Sequence, residues 1–179
     1  TPETSQFMLK LHNTLSRKIE VFKPLKDKKI NLFVCGPTVY DHAHLGHAKS
    51  YIQFDVIVRF LKHQGYQVFY LQNITDIDDK IIKRAQETKS SAEEIAKTFT
   101  KSYLEDMQVL NVTSVNKYAP ATKYMPEIIS QIQRMLKQGL AYPLSDGIYF
   151  NISKFKGYGK LSHQDLKQLN QHRIEPNSQ

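Results

Sequence analysis

The chain has 179 residues, enough for one domain or slightly more, and 40% of them are hydrophobic, which suffices for a real core. No run of roughly 18 apolar residues occurs, and no basic, apolar and small-residue leader pattern opens the chain, so a cytoplasmic protein with no membrane attachment is expected. The lone cysteine, Cys35, excludes an internal disulfide, and 25 Lys and Arg against 17 Asp and Glu give a net charge of +8, which favours polyanionic partners although the basic residues are scattered.

Leu9 and Leu11, then Ile19 and Val21, flank a polar corner from Asn13 to Lys18 and predict a short antiparallel ribbon. The compact apolar run Ile30 to Cys35 has strand length and is ended by Gly36-Pro37, which cannot continue a ladder, so a buried central strand is predicted. Apolar residues at Tyr51, Phe54, Ile57, Val58 and Leu61 share one helical face, with Gly65 as the stop, which predicts a helix from about Gly46 to Gln64. Tyr66 to Leu71 is rich in β-branched and aromatic residues and completes a strand-helix-strand unit with parallel strands.

Asp76, Asp78 and Asp79 stand ahead of Ile81-Ile82, where a helix N-terminus favours acidic groups, and a helix to about Thr88 is expected. Ser90 or Ser91, with Glu93 or Glu94 three residues on, forms a capping box for a helix from about Ala92 to Val109 that buries Ile95, Phe99 and Tyr103. From Asn111 the texture changes, and the stretch through Lys117-Tyr118-Ala119-Pro120 reads as a loop at a module boundary. Pro126 then opens a helix that carries Ile128, Ile129, Ile132, Met135 and Leu136 and stops at Gly139. Leu140 to Leu144 and Ile148 to Ile152 flank Ser145-Asp146-Gly147, a strong hairpin signal. The rest, from Gly157 to Gln179, is polar and has no evident element.

The densest chemistry lies from Cys35 to His47, between the C-terminal end of a strand and the start of a helix, where open α/β sheets bind ligands. A helix N-terminus offers unpaired N–H groups to anionic phosphates. Gly46 lets a ring or phosphate approach the backbone, and imidazoles at His44 and His47 face the same side and can donate to a phosphoryl oxygen as charge builds there. Two other readings stay open on the residues alone: an incidental surface pair of histidines, and a zinc site made by Cys35 with His42, His44 and His47, whose spacing matches no standard structural zinc pattern.

The stretch from Phe33 to Arg84 closely resembles cysteinyl-tRNA synthetases. It carries Val34-Cys35-Gly36-Pro37-Thr38-Val39-Tyr40-Asp41, His44-Leu45-Gly46-His47 and Asn73 to Ile82, and the likeness extends more loosely through Tyr158 to Ser162 and beyond. The resemblance implies a class I α/β fold with a Rossmann-like parallel sheet, divided into an N-terminal β-ribbon (1–25), the first half of the catalytic domain (26–115) and the start of a connecting insertion (116–179). His44 to His47 matches the family's "HIGH" signature, with Leu in second position. The resemblance therefore places His44 and His47 in catalysis, Thr38, His44, Gly46 and His47 at ATP, and Gly36 and Thr75 at the substrate cysteine.

Cys35 falls on the first of four protein ligands to the family's zinc, which accepts a soft thiolate far more readily than a serine hydroxyl. The implied cofactors are Zn²⁺ and, as substrate, ATP with Mg²⁺. The implied partners are L-cysteine, ATP and tRNA(Cys), acting on a monomer. Asp76, Asp78 and Asp79 could suggest Mg²⁺ ligands, but helix capping outweighs that role for at least two of them. The family's other zinc ligands and its lysine-rich "KMSKS" loop have no counterpart up to Gln179, so this segment alone is expected to be inactive. A cysteine ligase acting on a small-molecule amine, or a non-catalytic nucleotide- or tRNA-binding paralogue, would share the same motifs.

Overall fold

The computed structural model describes residues 9–164. They fall into two compact units, one spanning 24–128 and one combining the residues before 24 with those from 129. In the second of these, Lys10–Asn13 (β1) and Lys18–Val21 (β2) pair antiparallel as the expected ribbon. Arg17, at φ 57°, takes the left-handed step that closes its corner.

The unit spanning 24–128 is built on a three-stranded sheet in which Lys29–Val34 (β3), Gln67–Ile74 (β4) and Lys117–Pro120 (β5) lie in that order, all parallel. Three helices connect them: Leu45–His63 (α1), Asp79–Thr88 (α2) and Ala92–Val109 (α3). Alternation along β3 and β4 sends Val34, Val68, Tyr70, Gln72 and Ile74 into the core. Phe33 and Phe69, on the opposite parity, are 60% and 45% exposed. Tyr51 of α1 meets Tyr103 of α3 edge-on at 5.5 Å, and the Tyr103 hydroxyl donates to the buried Gln72 Oε1 at 2.7 Å, so both helices lie on the buried face.

Capping follows the sequence closely. Ser91 and Glu94 form a reciprocal box at the start of α3, and Asp78 caps α2 by accepting from Lys80 N at 2.9 Å. Asp76 instead receives the backbone N–H and hydroxyl of Thr122, which ties the end of β4 to the turn after β5.

Four expectations need correction, the first being the buried central strand: β3 lies at the edge of the described sheet, and of its residues only Val34 is buried. The stretch Lys117–Pro120, read as a loop, is β5: Asn116 leads it in, bonding Tyr70 through both its side chain and its N–H, and a four-residue edge strand ending in Pro carries too little periodicity to be seen alone. β4 runs three residues past Leu71, to Ile74. On α1, Tyr51, Val58 and Leu61 are buried as expected, but Ile57 is 39% exposed and the fourth buried position is an acid, Asp55. Its carboxylate accepts from Thr113 N at 2.9 Å and Ser114 N at 2.7 Å and pairs with Arg59, which also reaches Asn111 O, so α1 holds the chain that leads into β5.

After β5 comes a 3₁₀ turn, Ala121–Tyr124, and then Met125–Lys137 (α4), which Gly139 terminates at φ 66°. Ala141–Leu144 (β6) and Gly147–Phe150 (β7) pair as a hairpin around Ser145-Asp146. Residues 1–8 and 165–179, including the last part of the polar tail, lie outside the described residues.

Candidate active site

The C-terminal ends of β3 and β4 do not simply stop. Beyond Gly36-Pro37 the chain from β3 stays beside the one from β4: Thr75 N donates to Pro37 O at 3.0 Å, Val39 N donates to Thr75 O at 3.1 Å, and Thr38 pairs with Thr75 as an isolated parallel bridge. The approach is close enough to dictate glycine. A Cβ on Gly36 would sit 1.7 Å from the Asn73 carbonyl oxygen, so any larger residue would force the two strand ends apart. Gly36, Thr38 and Thr75, expected at substrate positions, are therefore brought into one cluster.

Cys35 lies at the same strand end with its side chain exposed, its Sγ 3.8 Å from Gly36 O. Beneath it the Tyr51 hydroxyl reaches the Cys35 carbonyl at 3.4 Å. Burial, chiefly, pushes that phenol up to about 12, so it stays protonated and remains a donor.

His44 and His47 stand at the N-terminus of α1, stacked with ring centroids 3.9 Å apart. They cap the helix themselves. His44 Nδ1 accepts from Gly46 N at 3.1 Å, and His47 Nδ1 accepts from His44 N at 3.2 Å, a capping box built from two imidazoles. A ring nitrogen that accepts a backbone N–H carries no proton, so each neutral ring must hold its hydrogen on Nε2. Two Nε2–H donors thus result from the same bonds that start the helix. Burial and the neighbouring His44 keep His47 below the usual histidine value of 6.5, which favours this neutral form. Gly46 leaves room for the His44 ring, which a Cβ would meet at 2.9 Å. Leu45, in the second position, is 87% exposed.

The loop before the histidines is pinned from three directions. His42 Nδ1 lies 2.9 Å from Ser102 Oγ, with its ring edge-on to Phe99; Asp41 faces Arg84 at 3.7 Å; and Lys80 lies over the Tyr40 ring at 5.4 Å. His42 is thus engaged by α3 rather than turned toward Cys35. Among the described residues no group of three His, Cys, Asp or Glu side chains could hold a metal ion. This removes the Cys35, His42, His44 and His47 zinc reading. An exposed thiol suits one ligand position for a soft cation, but Cys35 alone is not a metal site.

Two contributors escaped sequence reasoning. Tyr51 was assigned to the buried face of α1, where it is, but its contact with the Cys35 carbonyl depends on a strand 16 residues earlier. Asn73 accepts from Gly36 N at 2.8 Å and donates to Thr75 Oγ1 at 3.1 Å, a link no local pattern could reveal. A groove of about 940 Å³ runs between α2, α3 and the turn after β5, and none of the expected site residues lines it.

The family model for the class I (C) tRNA synthetase catalytic domain matches residues 21–179. The chain is 52% identical over 161 residues to a cysteine--tRNA ligase of Thermoplasma acidophilum, covering 90% of this chain and 36% of that protein. It is 48% identical over 173 residues to the enzyme of that name from Methanococcus maripaludis, covering 96% of this chain and 36% of the relative. For the cysteine--tRNA ligase of Thermococcus kodakarensis the identity is 50% over 169 residues, with 94% and 36% covered. The chain therefore spans about a third of the length of these curated relatives. Among solved structures, Mycobacterium tuberculosis methionyl-tRNA synthetase in complex with methionyl-adenylate superposes with a TM-score of 0.57 at 21% identity, over 64% of this chain and 22% of that one. That likeness concerns the fold.

Proposed function

Because this chain belongs to the class I (C) tRNA synthetase catalytic-domain family, we propose that the protein carrying it activates L-cysteine with ATP and Mg²⁺ and transfers the product to tRNA(Cys). In this reading a carboxylate oxygen of cysteine attacks the α-phosphorus of ATP, the bond to the bridging oxygen breaks, and pyrophosphate leaves. The adenylate then passes its acyl group to a hydroxyl at the tRNA 3′ end.

The observation that supports the reading is that Tyr51 joins two features: its hydroxyl meets the carbonyl of Cys35 on the thiol-bearing strand end at 3.4 Å, and its ring stacks at 6.2 Å on His47 of the helix start with two Nε2–H donors. Charge develops on the α-phosphoryl oxygens during displacement, and fixed donors there act without reorganising. His44 and His47 take that role, the close backbone at Gly46 admits the nucleotide, and Thr38 lies beside it. Gly36 and Thr75 border the amino acid. Here the protein's work is positioning and electrostatics rather than general base chemistry.

Zinc would enter through Cys35 as one ligand, the others being contributed from outside the described residues, and would favour a thiolate over a hydroxyl. No step above depends on it. We place the protein, as a monomer, in the cytoplasm, the location that fits the tRNA-ligase names of its relatives. Among the described residues no helix is long and apolar enough to cross a membrane. The relatives' names support tRNA over a small-molecule amine as acceptor.

Acylation of total tRNA with labelled cysteine tests the reading. Cysteine should enter the tRNA fraction in an ATP-dependent manner. Cysteine activation with no transfer to tRNA would contradict it in favour of an amine ligase.

A further inference from the structure

Asn73 sits where β3 and β4 part and is engaged at both ends of its amide. A backbone N–H only donates, so the atom that meets Gly36 N at 2.8 Å must be the amide oxygen. That settles the orientation of the whole group without any choice of rotamer flip. The amide nitrogen is then the atom 3.1 Å from Thr75 Oγ1, and it can only donate. Thr75 Oγ1 is therefore an acceptor toward Asn73, and its own proton must point elsewhere. Cys35, Asn73 and Thr75 follow Phe33 and Leu71 in the alternation away from the buried Val34, Gln72 and Ile74, so the Thr75 hydroxyl stands on the less buried side of the strand ends, where Cys35 is.

We propose that Asn73 is a positioning residue for substrate recognition: its amide fixes the spacing of Gly36 and Thr75 and occupies one lone pair of the Thr75 hydroxyl, leaving the hydroxyl proton available to an acceptor atom on the bound amino acid. This rests on the reading that Gly36 and Thr75 border the cysteine. A hydroxyl oxygen has two lone pairs, so Thr75 keeps one acceptor site besides its proton; holding the first lone pair on Asn73 turns the proton away from that amide, and a ligand group lacking a lone pair where the proton points leaves it unpaired.

Asn73→Asp separates the two halves of the link. The carboxylate still accepts from Gly36 N, but it no longer donates to Thr75 and instead draws the threonine proton to itself. The experiment uses the complete protein carrying this sequence and follows cysteine-dependent ATP–pyrophosphate exchange. Asn73→Asp and Thr75→Val should each raise the KM for cysteine about tenfold and leave the KM for ATP within about twofold. The double variant should be no worse than either single one, because both remove the same donor. Thr75→Ser should recover most of the affinity that Thr75→Val loses.

Additive losses, an unchanged KM for cysteine in Asn73→Asp, or a KM for ATP that rises in step with that for cysteine would overturn the proposal. If Asn73→Asp does not fold, Thr75→Val against Thr75→Ser decides, and equal effects overturn it. Failure of the wider reading is distinguishable. A wild-type protein with no cysteine-dependent exchange sinks the substrate assignment, whereas Gly36 amide protection that is the same in wild type and Asn73→Ala sinks the Asn73 link itself.

Discussion

Replacing Gly36 with alanine tests the closeness of the two strand ends. The added Cβ would lie 1.7 Å from the Asn73 carbonyl oxygen, 2.8 Å from its carbon and 3.1 Å from Gln72 Cγ. Ordinary contact needs about 3.5 Å, so the ends must part by well over about 1 Å. Such a movement breaks the Gly36 N bond to Asn73 Oδ1 and strains those of Thr75 N with Pro37 O and Val39 N with Thr75 O. Overpacking costs about 1–3 kcal/mol and each lost bond about 0.5–1.5 kcal/mol, so a loss of roughly 2–5 kcal/mol follows. Against a typical total of about 5–15 kcal/mol that is a large fraction. Urea unfolding of the chain, followed by far-UV circular dichroism, reads it as a lower midpoint. Gly65→Ala is the control: its φ is +84° and nothing lies within 4 Å of the new Cβ. It should cost only about 1–2 kcal/mol, from backbone strain alone. A loss at Gly36 no larger than that at Gly65 would refute the reasoning.

Asp55→Ala leaves Thr113 N and Ser114 N without their acceptor, while the half-exposed Arg59 returns to water, and should cost about 2–4 kcal/mol in the same unfolding assay. Burial pushes the Asp55 carboxyl up, but hydrogen bonds from Ser114 and Arg59 outweigh it and hold the group below its ordinary 3.8. Its stabilisation is thus full above that value and lost as pH falls through the lower folded one, and Asp55→Asn should flatten the acid limb of a stability–pH curve. Tyr103→Phe leaves Gln72 with no partner at either end of its buried amide, since Nε2 already lacks one, and should lower stability by about 1–3 kcal/mol. Nitrogen-15 NMR should find both His44 and His47 as Nε2–H tautomers at neutral pH. In His44→Asn the His47 titration should move up toward 6.5, because one of its two depressing influences is gone; an unmoved titration would contradict the assigned cause.

How far the sequence revealed this site depends on the range of the interactions involved. The α1 start and the α3 capping box were legible because helix ends are written locally, by side chains two or three residues from the backbone they satisfy. Histidines 44 and 47 fell on one face for the same reason. β5 was not legible, because Lys117–Pro120 becomes a strand only by pairing with Leu71 to Ile74. Asp55 carried no local signal, because its partners are 58 and 59 residues later in the chain. Asn73 belongs to the quoted motif, but its engagement with Gly36 spans 37 residues and exists only in the fold.

The central claim is that this strand end and helix start serve the activation of cysteine. The most direct measurement is ATP–pyrophosphate exchange by the complete protein, run against each amino acid in turn, with serine as the critical competitor. The account predicts exchange with cysteine and little with serine. Exchange driven by another amino acid, or equally by serine, would contradict it.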